Sequence, residues 1–275
     1  MKVFETNEQQ NLAGVEDLLQ QGLPSIDQLD RPISEDEVRK SIKKLKRGKS
    51  GGLDGVVPEM IKDAGDGIVV FLTALFNEVF RSGEYPEVWS KAIIVPIHKK
   101  GDTNAADNYR GISLLSTLGK CYTSILNSRL YSWLETNSKI HESQAGFRRG
   151  YTTSDHVFTL YSVTHKYLSK RGHKLYVAFI DLRKAFDSVS RNTLIGALCR
   201  AGVSLNFIRA IQAIYTSVMS CVRANNNISD MFECPKGLRQ GCVLSPTLFS
   251  VIINEVAVRV SIQGRHGVQL VPGMI

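Results

Sequence analysis

Asp181 closes the run KLYVAFID (residues 174–181), which is apolar at nearly every interior position. Such a run reads as a central strand covered on both sides rather than a half-exposed one, so the pattern predicts a strand that ends in a carboxylate. Burying an unpaired carboxylate is costly. Asp181 must therefore be solvated in a cleft, paired with a cation or bound to a metal. The wider segment FIDLRKAFD (179–187) adds Arg183, Lys184, Phe186 and Asp187 at the strand end. Taken alone, it reads first as a strand leading into a turn whose charges point to water. GLRQGCVLSP (237–246) sets Gln240 between Arg239 and Gly241 ahead of a Leu-Ser-Pro helix start. NYRGISLL (108–115) and QAGFRRG (144–150) place basic residues in Gly-bearing turns.

The elements that must position these residues follow from periodicity. Residues 1–30 are polar, acidic-leaning and weakly periodic, and read as an arm. Ser34 with Glu37 has the form of a capping box, followed by the apolar stripe Val38, Ile42 and Leu45. The opposite face is basic from Arg39 to Lys49, in composition either a solvated helix face or a phosphate contact. Glycines at 48, 51, 52 and 55 break this helix, and Pro58 suits the first turn of the next. Val69, Leu72, Phe76, Val79 and Phe80 mark a helix ended by Ser82 and Gly83. Residues 92–97 are β-branched and run into the turn HKKGD. Longer helices are predicted over 118–134 and 153–168, then near 191–200 and 204–217. Residues 221–224 and 228–234, joined through Asn225, Asn226 and Asn227, read as a β-hairpin beside the 174–181 strand. A last helix starts at Ser245 and Pro246.

The chain has 275 residues, with 34 Lys and Arg against 26 Asp and Glu, a net charge of +8. That length can bury a real core, and the charge makes an acidic partner such as nucleic acid plausible. No apolar run approaches the roughly 20 residues of a membrane span, and no signal peptide is visible. The short apolar runs give no expectation of a membrane partner, and five cysteines at 121, 199, 221, 234 and 242 without CxxC pairing favour an intracellular, reduced protein. The histidines have no HExxH spacing, Ser245 is not in GxSxG, and residues 48–55 lack P-loop order, so no zinc hydrolase, serine hydrolase or P-loop nucleotide hydrolase is indicated.

Five collinear segments carry a resemblance to a known family: GKSGGLDGVVPEMIK (48–62), WSKAIIVPIHKKGDTNAADNYRGISLLSTLGK (89–120), QAGFRRGYTTSDHV (144–157), FIDLRKAFDSV (179–189) and GLRQGCVLSPTLFS (237–250). These motifs lie within 48–250, and the resemblance as a whole covers about residues 29–270. The chain resembles the reverse transcriptases of non-LTR, LINE-type retrotransposons. The resemblance implies an α+β right-hand polymerase fold with fingers at 31–173 and a partial palm at 174–275, the thumb being absent. It implies RNA-directed DNA synthesis, in which a primer 3′ hydroxyl attacks the α-phosphorus of a deoxynucleoside triphosphate between two magnesium ions. The implied partners are an RNA template, a DNA primer and deoxynucleoside triphosphates.

By the same resemblance, Asp181 matches the family's first metal-binding aspartate and catalytic carboxylate, and the Leu182 carbonyl adds a ligand. Phe186 occupies the aromatic position that excludes a 2′ hydroxyl, with ordinary core packing as its alternative. Gln240 and Gly241 correspond to the motif beside the incoming nucleotide, and Arg148 to the triphosphate contact, while Arg149 reads equally as a surface charge. Arg110, Lys99 and Lys100 would line the template path through phosphate contacts. Asn108 and Tyr109 stabilise that loop, and Asp187 caps the turn that follows it.

The family's aromatic-x-Asp-Asp hairpin is not found in the sequence, which contains no adjacent Asp-Asp. The expectation is a chain truncated before that motif and inactive alone. The alternative is a non-catalytic RNA- or DNA-binding remnant, or a fragment of a decayed element.

Overall fold

The computed structural model describes residues 23–169, 171–225 and 227–263. Most of the N-terminal arm, the centre of the Asn225–Asn227 turn and the segment from Gly264 onward lie outside the described residues. Helix α1 (Asp27–Asp30) already carries a fully buried Leu29. Ser34 caps α2 (Glu35–Lys44) as predicted: its hydroxyl accepts from the Glu37 N–H at 3.3 Å, and Glu37 Oε2 accepts from the Ser34 N–H at 3.0 Å. Pro58 opens α3 (Pro58–Asp63). Helix α4 (Gly67–Ser82) stops at Gly83, whose φ of 71° suits glycine. After α5 (Glu87–Ser90), the long α6 (Thr117–Thr136) forms the pivot of the core, burying Cys121, Tyr122, Leu126, Leu130 and Leu134.

Arg129 shares the inward stripe of α6 with Tyr122, Leu126 and Trp133, and its side chain is only 2% exposed. It donates to the carbonyls of Leu29, Arg31 and Pro32 and to both carboxylate oxygens of Glu37, the latter at 2.7 and 2.8 Å. Burial alone would raise the Glu37 pKa. The hydrogen bonds from Arg129 and the Ser34 backbone, with the charges of Arg129 and Arg31, outweigh it and lower the value to about 2.

The sheet is built around β1 (Lys91–His98). β2 (Tyr109–Leu115) pairs with it antiparallel, Ala92 opposite Leu115 and His98 opposite Tyr109. β3 (Met219–Ala224) runs parallel to β1 on its other side, Ile93 opposite Cys221. β4 (Asn227–Ile228) and β5 (Phe232–Glu233) fold back antiparallel onto β3. Helices α8 (Arg191–Ala201) and α9 (Leu205–Tyr215) turn at Gly202 and bury Leu198, Phe207, Ile208 and Ile211. α10 (Ser245–Gln263) packs on α8 through Leu248, Val251 and Ile252. By length and composition its stretch Ser245–Ile262 would suffice to cross a membrane. Core helices pass the same test, and a third of this stretch, all of it between Ser245 and Ile252, is buried.

Three expectations are corrected. Residues 174–181 form no strand: Tyr176, Phe179 and Ile180 are 88%, 85% and 87% exposed. A strand persists only where a neighbour satisfies its N–H and C=O groups, and among the described residues none pairs with this run. The 221–234 hairpin consequently packs on β1, not beside 174–181. NYRGISLL is a strand, β2, rather than a turn. Helix α7 (Thr153–Leu168) has the predicted bounds and a Thr152–Asp155 capping box, but its apolar face, including Val157 and Tyr161, is exposed.

Candidate functional site

The loop 236–240 is laced by its backbone to the turn that follows Asp181. The Gly237 N–H donates to the Val189 carbonyl at 2.9 Å and the Leu238 N–H to the Phe186 carbonyl at 2.8 Å. Gln240 Nε2 donates to Asp187 Oδ1 at 3.2 Å. Asp187 therefore holds the neighbouring loop, where the sequence suggested a cap on its own turn. Gly237 has φ +88°, and a Cβ there would stand 2.9 Å from the Asp187 carbonyl oxygen. Gly241 has φ +83°, and its Cβ would stand 2.9 Å from the Ser113 carbonyl oxygen, so this loop also rests on β2.

Phe186 is half-buried and stacks on Phe249 at 4.8 Å with 18° between the rings. Phe147 meets Phe186 edge-on at 5.9 Å and Phe249 at 6.5 Å. Three of the resembling segments thus meet at one aromatic cluster. Phe147 has φ +62°, a conformation costing on the order of 1–3 kcal/mol for a bulky residue, and is 57% exposed.

Arg148 is engaged inward. Nε and Nη2 fork onto Glu135 at 3.0 and 2.8 Å, Nη1 donates to the His141 and Gln144 carbonyls, and the guanidinium lies 4.5 Å over the Tyr151 ring. The hydrogen bond with Glu135 raises the Arg148 pKa and lowers that of Glu135. Arg149 is exposed; its backbone N–H donates to the Tyr131 hydroxyl and its guanidinium covers that ring at 4.8 Å.

Lys99, Lys100 and Arg110 are exposed together on the β1–β2 hairpin. Its connection is stabilised as expected: Asn108 Nδ2 donates to the Asp102 carbonyl and the Tyr109 hydroxyl to the Thr103 carbonyl, both at 2.8 Å. Strand alternation puts Arg110 on the opposite face of β2 from Gly111 and Ser113. Arg110 and the Gln240 side of the cavity therefore lie on different faces of β2, while Lys99 and Lys100 sit in the β1–β2 connection.

Asp181 is exposed, and among the described residues it makes no ion pair or side-chain hydrogen bond, so it takes the solvated alternative. Its carboxylate and the Leu182 carbonyl offer two ligand groups, three oxygens at most, to a cation that takes about six. Among the described residues no group of three His, Cys, Asp or Glu side chains stands together, so these residues do not by themselves make a cation site. What the arrangement does offer is the Gln240–Gly241 corner resting on β2, an aromatic cluster, and exposed cations on the 144–150 turn and the β1–β2 hairpin.

Sequence reasoning missed Arg191 and Arg239, which line a cavity of about 360 Å³ between the sheet and loop 236–240. It also missed Arg129, although its place on the stripe with Tyr122, Leu126 and Trp133 was readable. The family model "Reverse transcriptase (RNA-dependent DNA polymerase)" matches residues 97–269. The chain is 31% identical over 238 residues to the "Transposon TX1 uncharacterized 149 kDa protein" of Xenopus laevis, covering 85% of this chain and 18% of that protein. It is 31% identical over 258 residues to the "Probable RNA-directed DNA polymerase from transposon BS" of Drosophila melanogaster, covering 92% and 28%. The "RNA-directed DNA polymerase from mobile element jockey" of the same organism is 30% identical over 235 residues, covering 83% and 25%. The chain thus spans less than a third of the length of each of these relatives.

Proposed function

The chain belongs to the reverse transcriptase (RNA-dependent DNA polymerase) family of non-LTR retrotransposons, and from that premise we propose that it forms the fingers (31–173) and part of the palm (174–275) of a right-hand polymerase. Its partners in this reading are an RNA template, a DNA primer and deoxynucleoside triphosphates, in an intracellular, reducing setting where the five cysteines stay thiols. The observation that carries it is the junction of Gln240 with Asp187 beside the Phe147–Phe186–Phe249 cluster, which brings separate family motifs to one corner.

Deoxynucleotidyl transfer requires a primer 3′ hydroxyl held in line with the α-phosphorus. Gly241, lacking a Cβ, lets its loop rest on the Ser113 carbonyl of β2, and Gln240, held in place by Asp187, is the side chain set beside the incoming nucleotide. Phe186, braced by Phe249, presents its ring where a 2′ hydroxyl would be excluded. Arg148, which orders the turn by gripping Glu135, is the guanidinium we assign to the triphosphate, and exposed Arg149 adds a second beside it. Lys99, Lys100 and Arg110 hold template phosphates.

Reverse transcriptases normally use divalent metal ions. Asp181 and the Leu182 carbonyl are the groups we assign toward such an ion, magnesium by its preference for hard oxygen ligands. Primer extension on an RNA template by a polypeptide carrying this chain tests the reading. Asp181→Asn is expected to abolish it, and undiminished extension by that variant overturns the assignment.

A further inference from the structure

Two guanidinium groups line the cavity between the β1–β2–β3 face and loop 236–240, and neither is paired with a carboxylate. Arg239 is 7% exposed; its Nη2 donates to the Trp89 carbonyl at 2.6 Å and its Nε has no partner. Half-buried Arg191 donates Nη1 to the Tyr215 carbonyl at 2.6 Å and Nη2 to the Cys234 carbonyl, its Nε again unpartnered. The partners are all neutral, backbone carbonyls for both arginines and the buried Tyr85 hydroxyl beside Arg239. Among the described residues neither arginine forms an ion pair. The one acid in the cavity lining, Asp187, is exposed, accepts from Gln240 and pairs with neither arginine, and Lys236 adds a third cation at the wall, so the lining carries more positive than negative charge.

Buried cations that lack a counter-charge are costly, and placing two of them at one cavity compounds the cost. Burial lowers the Arg191 pKa, and the nearby charge of Arg239 lowers it further, so the two groups oppose each other. Arg191 is also the first residue of α8, whose Ser190 cap makes no side-chain hydrogen bond, so the positive end of that helix adds to the same field. An anion relieves all of these at once. A phosphate group, with several acceptor oxygens, suits the multiple N–H donors of guanidinium better than a monodentate ligand would.

We propose that this cavity is a phosphate-binding pocket in which Arg191, Arg239 and Lys236 take one phosphate group, either a phosphodiester of a bound strand or the pyrophosphate portion of a nucleotide. It lies behind the Gln240 corner and on the opposite face of β2 from Arg110, so it is separate from the hairpin cations.

The test is thermal unfolding of the full chain at fixed ionic strength with inorganic pyrophosphate and, separately, with a short single-stranded RNA. Pyrophosphate is expected to raise the unfolding midpoint as a ligand of the folded state does. Lys236→Glu, at an exposed position, is expected to weaken pyrophosphate about tenfold. Lys40→Glu makes the same charge change at an exposed position of α2 and is expected to leave affinity within about twofold. Absence of a midpoint shift in the wild type, or equal weakening by both variants, overturns the pocket. RNA displacing pyrophosphate in a Lys236-dependent manner assigns the pocket to a strand phosphate; pyrophosphate binding that RNA leaves untouched assigns it to the nucleotide. Because neither primer nor extension is involved, failure here leaves the Asp181→Asn result to judge the polymerase reading separately.

Discussion

Gln240 donates its side-chain amide to Asp187 Oδ1 across 3.2 Å, joining residues 53 positions apart in the sequence. The bond is exposed, so its own contribution is modest, about 1 kcal/mol or less. The firmness of the corner comes from the glycines on either side of Gln240, which let loop 236–240 lie against the backbone of Asp187 and of Ser113.

Gly237→Ala measures that clamp. Gly150 has φ +82° with open space around it, so Gly150→Ala carries only the left-handed backbone cost, about 1–2 kcal/mol. At Gly237 the same strain, φ +88°, is joined by a Cβ 2.9 Å from the Asp187 carbonyl oxygen. Neither atom can retreat without moving the backbone, so the expected cost is larger, about 3 kcal/mol. Urea unfolding midpoints of the two variants check this; equal losses would mean that the loop is free to shift away from Asp187.

The Glu37–Arg129 pair gives the protein an acid-sensitive step. The Glu37 pKa is lowered from 4.5 to about 2 in the folded chain, so its contribution is complete above the unfolded value and is lost as pH falls through the folded one. The difference corresponds to at most about 3 kcal/mol, withdrawn between about pH 5 and about pH 2. Glu37→Gln is expected to lower stability near neutral pH and to flatten this part of the profile. A wild-type midpoint that declines no more steeply than the variant's over that window would contradict it.

Local chemistry was legible where it was self-contained. Ser34 with Glu37, Pro58, Gly83 and the β-branched run of β1 each fix a boundary through contacts within a few residues. The 174–181 run was misread because apolar composition shows what a segment would bury, whereas strand pairing depends on a partner elsewhere in the chain. β2 was misread in the other direction. Gly111 suggested a turn, yet the absence of a Cβ serves its packing against Ile94, whose methyl would lie 2.9 Å from one. At the site, the motif residues were readable individually, but the engagement of Arg148 with Glu135 depends on α6, whose register against the 144–150 turn no local spacing reveals.

The hairpin cations predict a salt-dependent affinity for single-stranded RNA. Each phosphate neutralised contributes a slope of about −0.7 in log affinity against log salt. Replacing Lys99, Lys100 and Arg110 together by alanine is expected to make the slope shallower by about 2, with little change in unfolding midpoint because all three are exposed. Fluorescence anisotropy over a salt series checks this. An unchanged slope would remove the hairpin from the template path.

Residues 174–181 give the most direct contrast between sequence and structure. Their backbone has no ladder partner among the described residues, and Tyr176, Phe179 and Ile180 are nearly fully exposed. Amide hydrogens without such partners exchange through small local openings or none, while those of α6 exchange only through larger ones. Hydrogen exchange in the isolated chain is therefore expected to label 174–181 orders of magnitude faster than 121–134, and chymotrypsin to cut first after Tyr176 or Phe179. A core strand covered on both faces would give the opposite result, with protection at Val177 and Ile180 rivalling that of Leu126. Such protection would restore the buried strand that the apolar pattern predicts and place Asp181 at its end.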